Sequence, residues 1–155
     1  MKKIIDNFST QAQTYQKFRP VYPQAVYDLL FSLVKKREQA WDCGTGNGQV
    51  AKVLAEHFKM VRATDISDQQ LKSAAQKSNI HYSNQRAEST NFPDQTFDLI
   101  TVAQAIHWFD FAAFYQEVKR VLKPNSILAI FGYGLLRIEG INDQLDYFYK
   151  DLIGS

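Results

Sequence analysis

The stretch AWDCGTGNGQV (40–50) places glycines at positions 44, 46 and 48, the first of them two residues after the acidic residue Asp42. Glycines at this density leave backbone N–H groups uncovered. Three explanations are therefore open: a turn that binds phosphate, a turn that holds a different cofactor, or a plain tight turn. The choice between them largely decides the function of the protein.

The spacing of the glycines argues against phosphate. The dinucleotide fingerprint is G-x-G-x-x-G, whereas Gln49 stands here in the place of the third glycine. A phosphate loop would need Lys and Ser or Thr where Gln49 and Val50 occur. Asp42 would repel phosphate and could instead hold an ammonium group. These residues also disfavour a nicotinamide-dependent oxidoreductase.

A second acidic residue, Asp65, ends the apolar segment MVRATDI (60–66). It follows the turn by about twenty residues, the separation at which a carboxylate accepts the two hydroxyls of a ribose in nucleotide-binding sheets. An adenosine that is held by its ribose, carries no phosphate and bears an amino acid and a sulfonium is S-adenosylmethionine. This is the cofactor that the two carboxylates and the glycines favour.

The segments around these residues alternate between two patterns. Strands are predicted over EQAWDC (38–43), MVRATDI (60–66), IHYSNQRA (80–87), FDLITVAQA (97–105) and SILAIFGY (126–133). Helices are predicted over PQAVYDLLFSLVKK (23–36), QVAKVLAEHF (49–58), SDQQLKSAAQK (67–77) and FAAFYQEVKRVLK (111–123), with a turn at KPNS (123–126). The alternation predicts an α/β fold, a doubly wound Rossmann-like sheet of about five parallel strands with helices on both faces. The apolar face of the first helix is predicted to contain Val26, Leu29, Leu30, Leu33 and Val34.

The composition narrows the possible partners and location. The 155 residues fit one domain, and the net charge of +2 with scattered Lys and Arg gives no basic face for nucleic acid. No segment is long and apolar enough for a membrane span, and the N-terminus does not resemble a signal peptide. The single cysteine, Cys43, fits a reducing compartment and is expected to be a small buried filler. We therefore expect a cytoplasmic protein.

Four motifs in order resemble the class I S-adenosylmethionine-dependent methyltransferases, and the resemblance covers nearly the whole chain. They are DCGTGNG, ATDIS, RAESTNFPDQTFDLITVAQAIHWF and RVLKPNSILAIFGY. In the last, Asn125 and Ser126 replace two glycines that are usual in the family. The resemblance implies that Asp65 binds the ribose and Ile66 contacts the adenine, with Ala87 and Glu88 flanking it. It implies a cofactor-binding first motif at Asp42, Gly44, Thr45, Gly46 and Gly48.

Two further segments, AQAIHWFD and KFRPVYP, are similar to small-molecule methyltransferases of the trans-aconitate type. This similarity implies that Tyr15 and Arg19 close over the methionine carboxylate. It also places Gln104 and Ala105 beside the methionine and the acceptor.

His107 and Trp108 are expected on the acceptor side. A carboxylate acceptor needs no general base, whereas for a hydroxyl or an amine His107 is the candidate catalytic base. No metal is expected.

The predicted domain divides into N-terminal helices that cap the cofactor site (1–37), an alternating core (38–133) and a C-terminal helix (134–155). No sixth or seventh strand is found, so the C-terminal antiparallel hairpin of the family is missing. Ser126–Tyr133 is then expected to be an exposed edge, which indicates either a piece of a longer enzyme or pairing with a second copy or a partner there. The alternative function is a non-catalytic methyltransferase-like fragment that acts through a partner chain.

Overall fold

A computed structural model of the chain describes residues 21–134. The described elements, in chain order, are α1 (Gln24–Leu33), β1 (Gln39–Cys43), α2 (Gln49–Leu54), β2 (Met60–Asp65), α3 (Asp68–Lys72), β3 (Ile80–Asn84), β4 (Phe97–Ala103), a 3₁₀ turn (Ile106–Trp108), α4 (Phe111–Val121) and β5 (Leu122–Phe131). All five predicted strands are confirmed, although β3 ends at Asn84 instead of Ala87.

The five strands form one parallel sheet in the order β3-β2-β1-β4-β5. The chain winds outward from β1 in one direction through β2 and β3, and then in the other through β4 and β5. The winding therefore reverses between β1 and β4, and the glycine turn lies at the carboxyl end of β1, at this switch point. The predicted doubly wound Rossmann-like fold is confirmed.

Apolar side chains cover both faces of the sheet, because successive residues of a strand point to opposite sides. Ala40 and Leu99 belong to a cluster that includes α1 and α2. Trp41 and Ile100 belong to a second cluster, which includes α4. All seven residues of the central strand β4 are buried. This layering explains why the strands appear in the sequence as nearly continuous apolar runs.

The predicted apolar face of α1 is wrong in part. Leu29 and Leu33 are 63% and 53% exposed, whereas Tyr27, Leu30 and Phe31 are buried. The helix is thus rotated toward its aromatic residues, which remove more apolar surface from water than leucine does.

The predicted KPNS turn lies within β5 as an irregularity in the strand. The pairing with β4 passes from Phe97–Leu122 to Leu99–Ile127, so extra residues of β5 are accommodated between these pairs. Asn125, within this segment, has a φ of 60°. Asparagine tolerates this left-handed conformation better than most residues, so Asn125 can take a position where the family resemblance implies glycine.

Helices α2 and α3 are shorter than predicted. The side-chain amide of Asn79 donates to the carbonyls of Ala55 and Phe58 at 2.8 and 3.0 Å, which satisfies acceptors just after α2 ends. Because these carbonyls already have a partner, the helix need not continue to position 58. Element ends set by such a distant side chain cannot be inferred from local periodicity.

Strand β5 lies at one edge of the sheet and, within residues 21–134, pairs only with β4. Its Ile130 side chain is 39% exposed. The edge position expected for Ser126–Tyr133 therefore holds for this part of the chain. Pairing of this edge with a second copy or a partner stays a prediction. No helix in the same range is long and apolar enough to cross a bilayer.

Candidate functional site

The three glycines of the turn all have a left-handed backbone. Their φ angles are 69°, 55° and 80° at Gly44, Gly46 and Gly48. A Cβ on Gly44 would lie 2.6 Å from the Cβ of Ala105, and one on Gly48 would collide with the hydroxyl of Tyr82. The turn is therefore confined between the end of β4 and β3, and two of its glycines are required by the protein's own packing.

The backbone N–H groups of the turn are largely used within the protein. The amide of Thr45 donates to the carbonyl of Thr64 at 2.9 Å, and that of Gly48 donates to the carbonyl of Thr45 at 3.0 Å. The amide of Gly46 donates to Asp65 Oδ2 at 2.8 Å. A phosphate-binding turn needs these donors for its ligand. The geometry thus disfavours the phosphate explanation and supports the exclusion made from the glycine spacing.

Asp42 is buried beneath the turn. Its Oδ2 accepts from the Thr45 hydroxyl at 2.6 Å and from the Ala51 amide at 3.1 Å, and its Oδ1 accepts from the Thr101 hydroxyl at 2.8 Å. The carboxylate therefore connects the turn to α2 and to β4. This places Asp42 as a support of the turn, and its burial does not favour the direct ligand contact expected for it. Thr45, also buried, has the same supporting role.

Asp65, at the carboxyl end of β2, is placed beside the turn as predicted. In addition to the Gly46 amide, it accepts from the Ser67 amide at 2.9 Å through Oδ1. The next side chain, Ile66, is 42% exposed although it is apolar. An acceptor group next to an exposed apolar side chain is an arrangement suited to a ribose and its attached base.

Two residues of the turn have an additional property that the sequence analysis missed. Within residues 21–134, the buried side-chain oxygens Asn47 Oδ1 and Gln49 Oε1 have no hydrogen-bond partner. Unpaired buried acceptors are uncommon, and they indicate a missing donor. In the sequence Gln49 stands out only as a departure from the dinucleotide motif, and no signal there shows that its oxygen is buried. Because the protein encloses both oxygens, a ligand does not reach them in this conformation.

The two residues expected beside adenine differ in their surroundings. Ala87 is buried in the apolar cluster that contains Trp41. Glu88 has a side chain that is 13% exposed, with Oε1 accepting from the Asp110 amide at 3.0 Å and Oε2 lying 3.3 Å from Arg86 Nε. The Glu88 carboxylate is thus engaged mainly by the helix that follows the site.

The residues that follow β4 reach both the turn and β5. Gln104 has a φ of 53°, and its side-chain amide donates to the Tyr133 carbonyl at 2.7 Å. Ala105 packs against Gly44, as the distance to a hypothetical Cβ there shows. The structure thus brings Ala105 against the turn and Gln104 against the residues that follow β5.

His107 and Trp108 lie on the 3₁₀ turn, with ring centroids 4.9 Å apart. The His107 side chain is exposed, and that of Trp108 is 56% exposed. Both are accessible groups next to the site. Tyr15 and Arg19 lie outside the described residues.

Burial raises the pKa of two further titratable groups beside the turn, Cys43 and Tyr82. Burial, reinforced by the charge of Asp42, raises the pKa of the Cys43 thiol well above its ordinary value. The same two causes raise the pKa of Tyr82 to about 12. Both groups therefore stay protonated and uncharged, and neither is suited to act as a nucleophile or base at neutral pH. Among residues 21–134, no three His, Cys, Asp or Glu side chains are grouped to hold a metal.

Comparisons with known proteins agree with this geometry. The model of a methyltransferase domain family matches residues 41–130. A Dictyostelium discoideum protein provisionally named a methyltransferase is 40% identical over 157 residues, which cover 99% of this chain and 60% of that protein. A Saccharomyces cerevisiae protein provisionally named an S-adenosylmethionine-dependent methyltransferase is 24% identical over 93% of this chain and 53% of its own.

One solved structure extends the comparison to three dimensions. It is of an Anaeromyxobacter dehalogenans protein, provisionally described as a type II methyltransferase. It superimposes with a TM-score of 0.77 at 36% identity, over 88% of this chain and 59% of that one. The chain thus spans about three-fifths or less of the length of these three proteins.

Proposed function

The chain belongs to the methyltransferase domain family, and we propose that it binds S-adenosylmethionine at the glycine turn. We further propose that it transfers the methyl group to a small-molecule acceptor, for which a carboxylate is one candidate. One observation carries the choice of cofactor. The amides of Thr45, Gly46 and Gly48 are used within the protein. A pyrophosphate at this turn would have to compete for these amides, whereas a cofactor without phosphate, held by its ribose at Asp65, would not.

The residues present fit this cofactor. Asp65 stands at the end of β2 as the acceptor for the ribose hydroxyls, and the exposed Ile66 offers an apolar contact to the adenine. Asp42 and Thr45 act through the turn, whereas Tyr15 and Arg19 stay predicted contacts of the methionine carboxylate.

When bound, S-adenosylmethionine supplies a methyl group activated by its sulfonium. The chain itself then has to position the cofactor and the acceptor and to exclude water from between them. Gln104 and Ala105, which directly follow β4, are the proposed neighbours of the methionine and acceptor. With a carboxylate acceptor no proton has to be removed. With a hydroxyl or amine, the exposed His107 is the proposed base.

A second candidate function is a methyltransferase-like fragment that acts through a partner chain. The observation that favours it is the edge position of β5, with Ile130 exposed. We place the protein in the cytoplasm, since its single cysteine suits a reducing compartment.

Calorimetric titration with S-adenosylmethionine, S-adenosylhomocysteine and NAD tests the proposal. We expect micromolar binding of the first two and none of NAD. Asp65→Asn should weaken S-adenosylhomocysteine by about tenfold or more, the effect of losing one charge-assisted acceptor. Asp68→Asn is the matched control, because Asp68 is exposed and bonds Asn84 nearby. A folded chain that binds neither S-adenosylmethionine nor S-adenosylhomocysteine would overturn the proposed cofactor.

A further inference from the structure

The loop that joins β3 to β4 is fastened to a single helix, α4, along most of its length. Thr90 donates through its amide, at 2.9 Å, and its hydroxyl to Glu117 Oε1. Further along, Arg120 Nη1 donates to the Phe92 carbonyl at 2.7 Å. The Arg120 guanidinium also contacts both oxygens of Glu117, at 3.0 and 2.6 Å, so the two attachments share one ion pair. The loop and the helix are therefore expected to move as one body.

Glu88 provides a third attachment, at the other end of the helix. Its Oε1 accepts from the amide of Asp110 at 3.0 Å. Asp110 is the N-cap residue of α4, and its own side chain accepts from the Ala113 amide at 3.1 Å. The Asp110 amide precedes the first turn of the helix and has Glu88 as a charged acceptor, a strong type of hydrogen bond.

The same amide lies two residues after Trp108. The 3₁₀ turn is held at its start by Ala105, which packs on Gly44, and just after its end by Glu88 through Asp110. The Trp108 amide itself donates to the Ala105 carbonyl at 3.0 Å. The position of the exposed rings of His107 and Trp108 is thus bounded by the glycine turn on one side and by the Glu88 carboxylate on the other.

We propose that Glu88 is a positioning residue that fixes the acceptor-side turn Ile106–Trp108 relative to the glycine turn by holding the Asp110 amide. The inference rests on the proposed function, because the glycine turn is the proposed cofactor site. It assigns to Glu88 a role different from the direct adenine contact that the family resemblance implies. The carboxylate acts through the backbone at Asp110 and not on the ligand.

The first test needs no ligand. Hydrogen exchange at the Asp110 amide and acrylamide quenching of tryptophan fluorescence are measured in the wild type and in Glu88→Ala, Glu88→Gln and Glu56→Gln. The chain has two tryptophans, and only Trp108 is accessible to the quencher because Trp41 is completely buried. Glu56→Gln is the control, since Glu56 pairs with Lys77 at the surface. Thermal unfolding confirms that each variant is folded.

We expect Glu88→Ala to speed exchange at Asp110 by about tenfold or more, as loss of one charge-assisted hydrogen bond implies, and to increase quenching of Trp108. Glu88→Gln keeps an acceptor oxygen and should fall between Glu88→Ala and the wild type, and Glu56→Gln should match the wild type. Exchange and quenching in a folded Glu88→Ala that equal the wild-type values would overturn the proposal.

A second test separates positioning from contact with adenine. S-adenosylhomocysteine and S-inosylhomocysteine, which lacks the exocyclic amino group, are titrated into the wild type and Glu88→Ala. A positioning residue should change both affinities by the same factor. If only S-adenosylhomocysteine weakens, Glu88 contacts the base and the inference fails. If the wild type binds neither compound, the proposed function fails, while the ligand-free test still decides the role of Glu88 at the turn.

Discussion

The carboxylate of Asp65 accepts a hydrogen bond from the amide of Gly46 at 2.8 Å, across 19 positions of sequence. The bond joins the end of β2 to the middle of the glycine turn, so the expected ribose acceptor and the expected methionine site are mechanically connected. It also occupies an amide that a phosphate would otherwise use. One contact therefore both supports the proposed cofactor and disfavours its main competitor.

The close approach of Tyr82 to Gly48 predicts a large cost for a small substitution. Gly48→Ala should lower the free energy of unfolding by about 2 kcal/mol or more, because it combines a left-handed backbone with overpacking. The added Cβ would collide with the Tyr82 hydroxyl. Urea unfolding of Gly48→Ala, Tyr82→Phe and the double variant measures the coupling. We expect the double variant to lose less than the sum of the single losses, and strict additivity would contradict the packing described here.

The burial of Asp42 predicts a stability role that can be separated from ligand contact. Asp42→Asn leaves fewer acceptors for three buried donors and should cost about 2–3 kcal/mol of unfolding free energy. Thr101→Val, which removes one of those donors, should cost about 1 kcal/mol. Urea unfolding and calorimetry with S-adenosylhomocysteine measure both effects. Loss of binding in Asp42→Asn with an unfolding free energy within about 1 kcal/mol of the wild type would instead indicate a direct contact.

Much of this arrangement was predictable from sequence, and the reasons are physical. Strands buried on both faces must be apolar, so β1 and β4 stand out, and the glycines mark the turn at the switch point. Asp65 was predicted because it ends a strand. The inward bonds of Asp42 and the attachment of Glu88 to Asp110 were not, since they join residues far apart in the chain. The rotation of α1 was missed because leucine spacing does not show that aromatic residues take the buried face.

The ion pair of Asp98 predicts a pH dependence of stability. Burial alone would raise the pKa of the Asp98 carboxyl, but the Lys123 ammonium at 2.8 Å and the amides of Gln39 and Glu38 outweigh it and hold the pKa below its ordinary value. A carboxyl with a lowered folded-state pKa contributes stability above its unfolded pKa of about 4, and this is lost as pH falls through the folded value.

We expect Asp98→Asn to cost about 2 kcal/mol at pH 7 and to approach the wild type below about pH 4, measured by urea unfolding across pH. Glu56→Gln serves as the control because its carboxylate pairs with Lys77 at the surface, where such pairs contribute little, and its unfolding free energy should stay within about 1 kcal/mol of the wild type throughout. A gap between Asp98→Asn and the wild type that does not narrow in acid would contradict the role of the ionised carboxyl.

The left-handed backbone of Gln104 predicts that stability and function separate at this position. Gln104→Gly relieves a strain of about 1 kcal/mol and loses the bond to the Tyr133 carbonyl, so its unfolding free energy should stay near that of the wild type. Gln104→Ala keeps the strain and loses the same bond, and should be about 1 kcal/mol less stable than Gln104→Gly.

Asn125→Gly and Asn125→Ala form the matched pair, because Asn125 has a similar φ of 60° but lies within β5 near its start, away from the turn. If the Gln104 side chain helps to hold the cofactor, both Gln104 variants should bind S-adenosylhomocysteine more weakly while both Asn125 variants bind it normally. Equal affinities in all four variants would show that Gln104 serves only to fasten the end of β5.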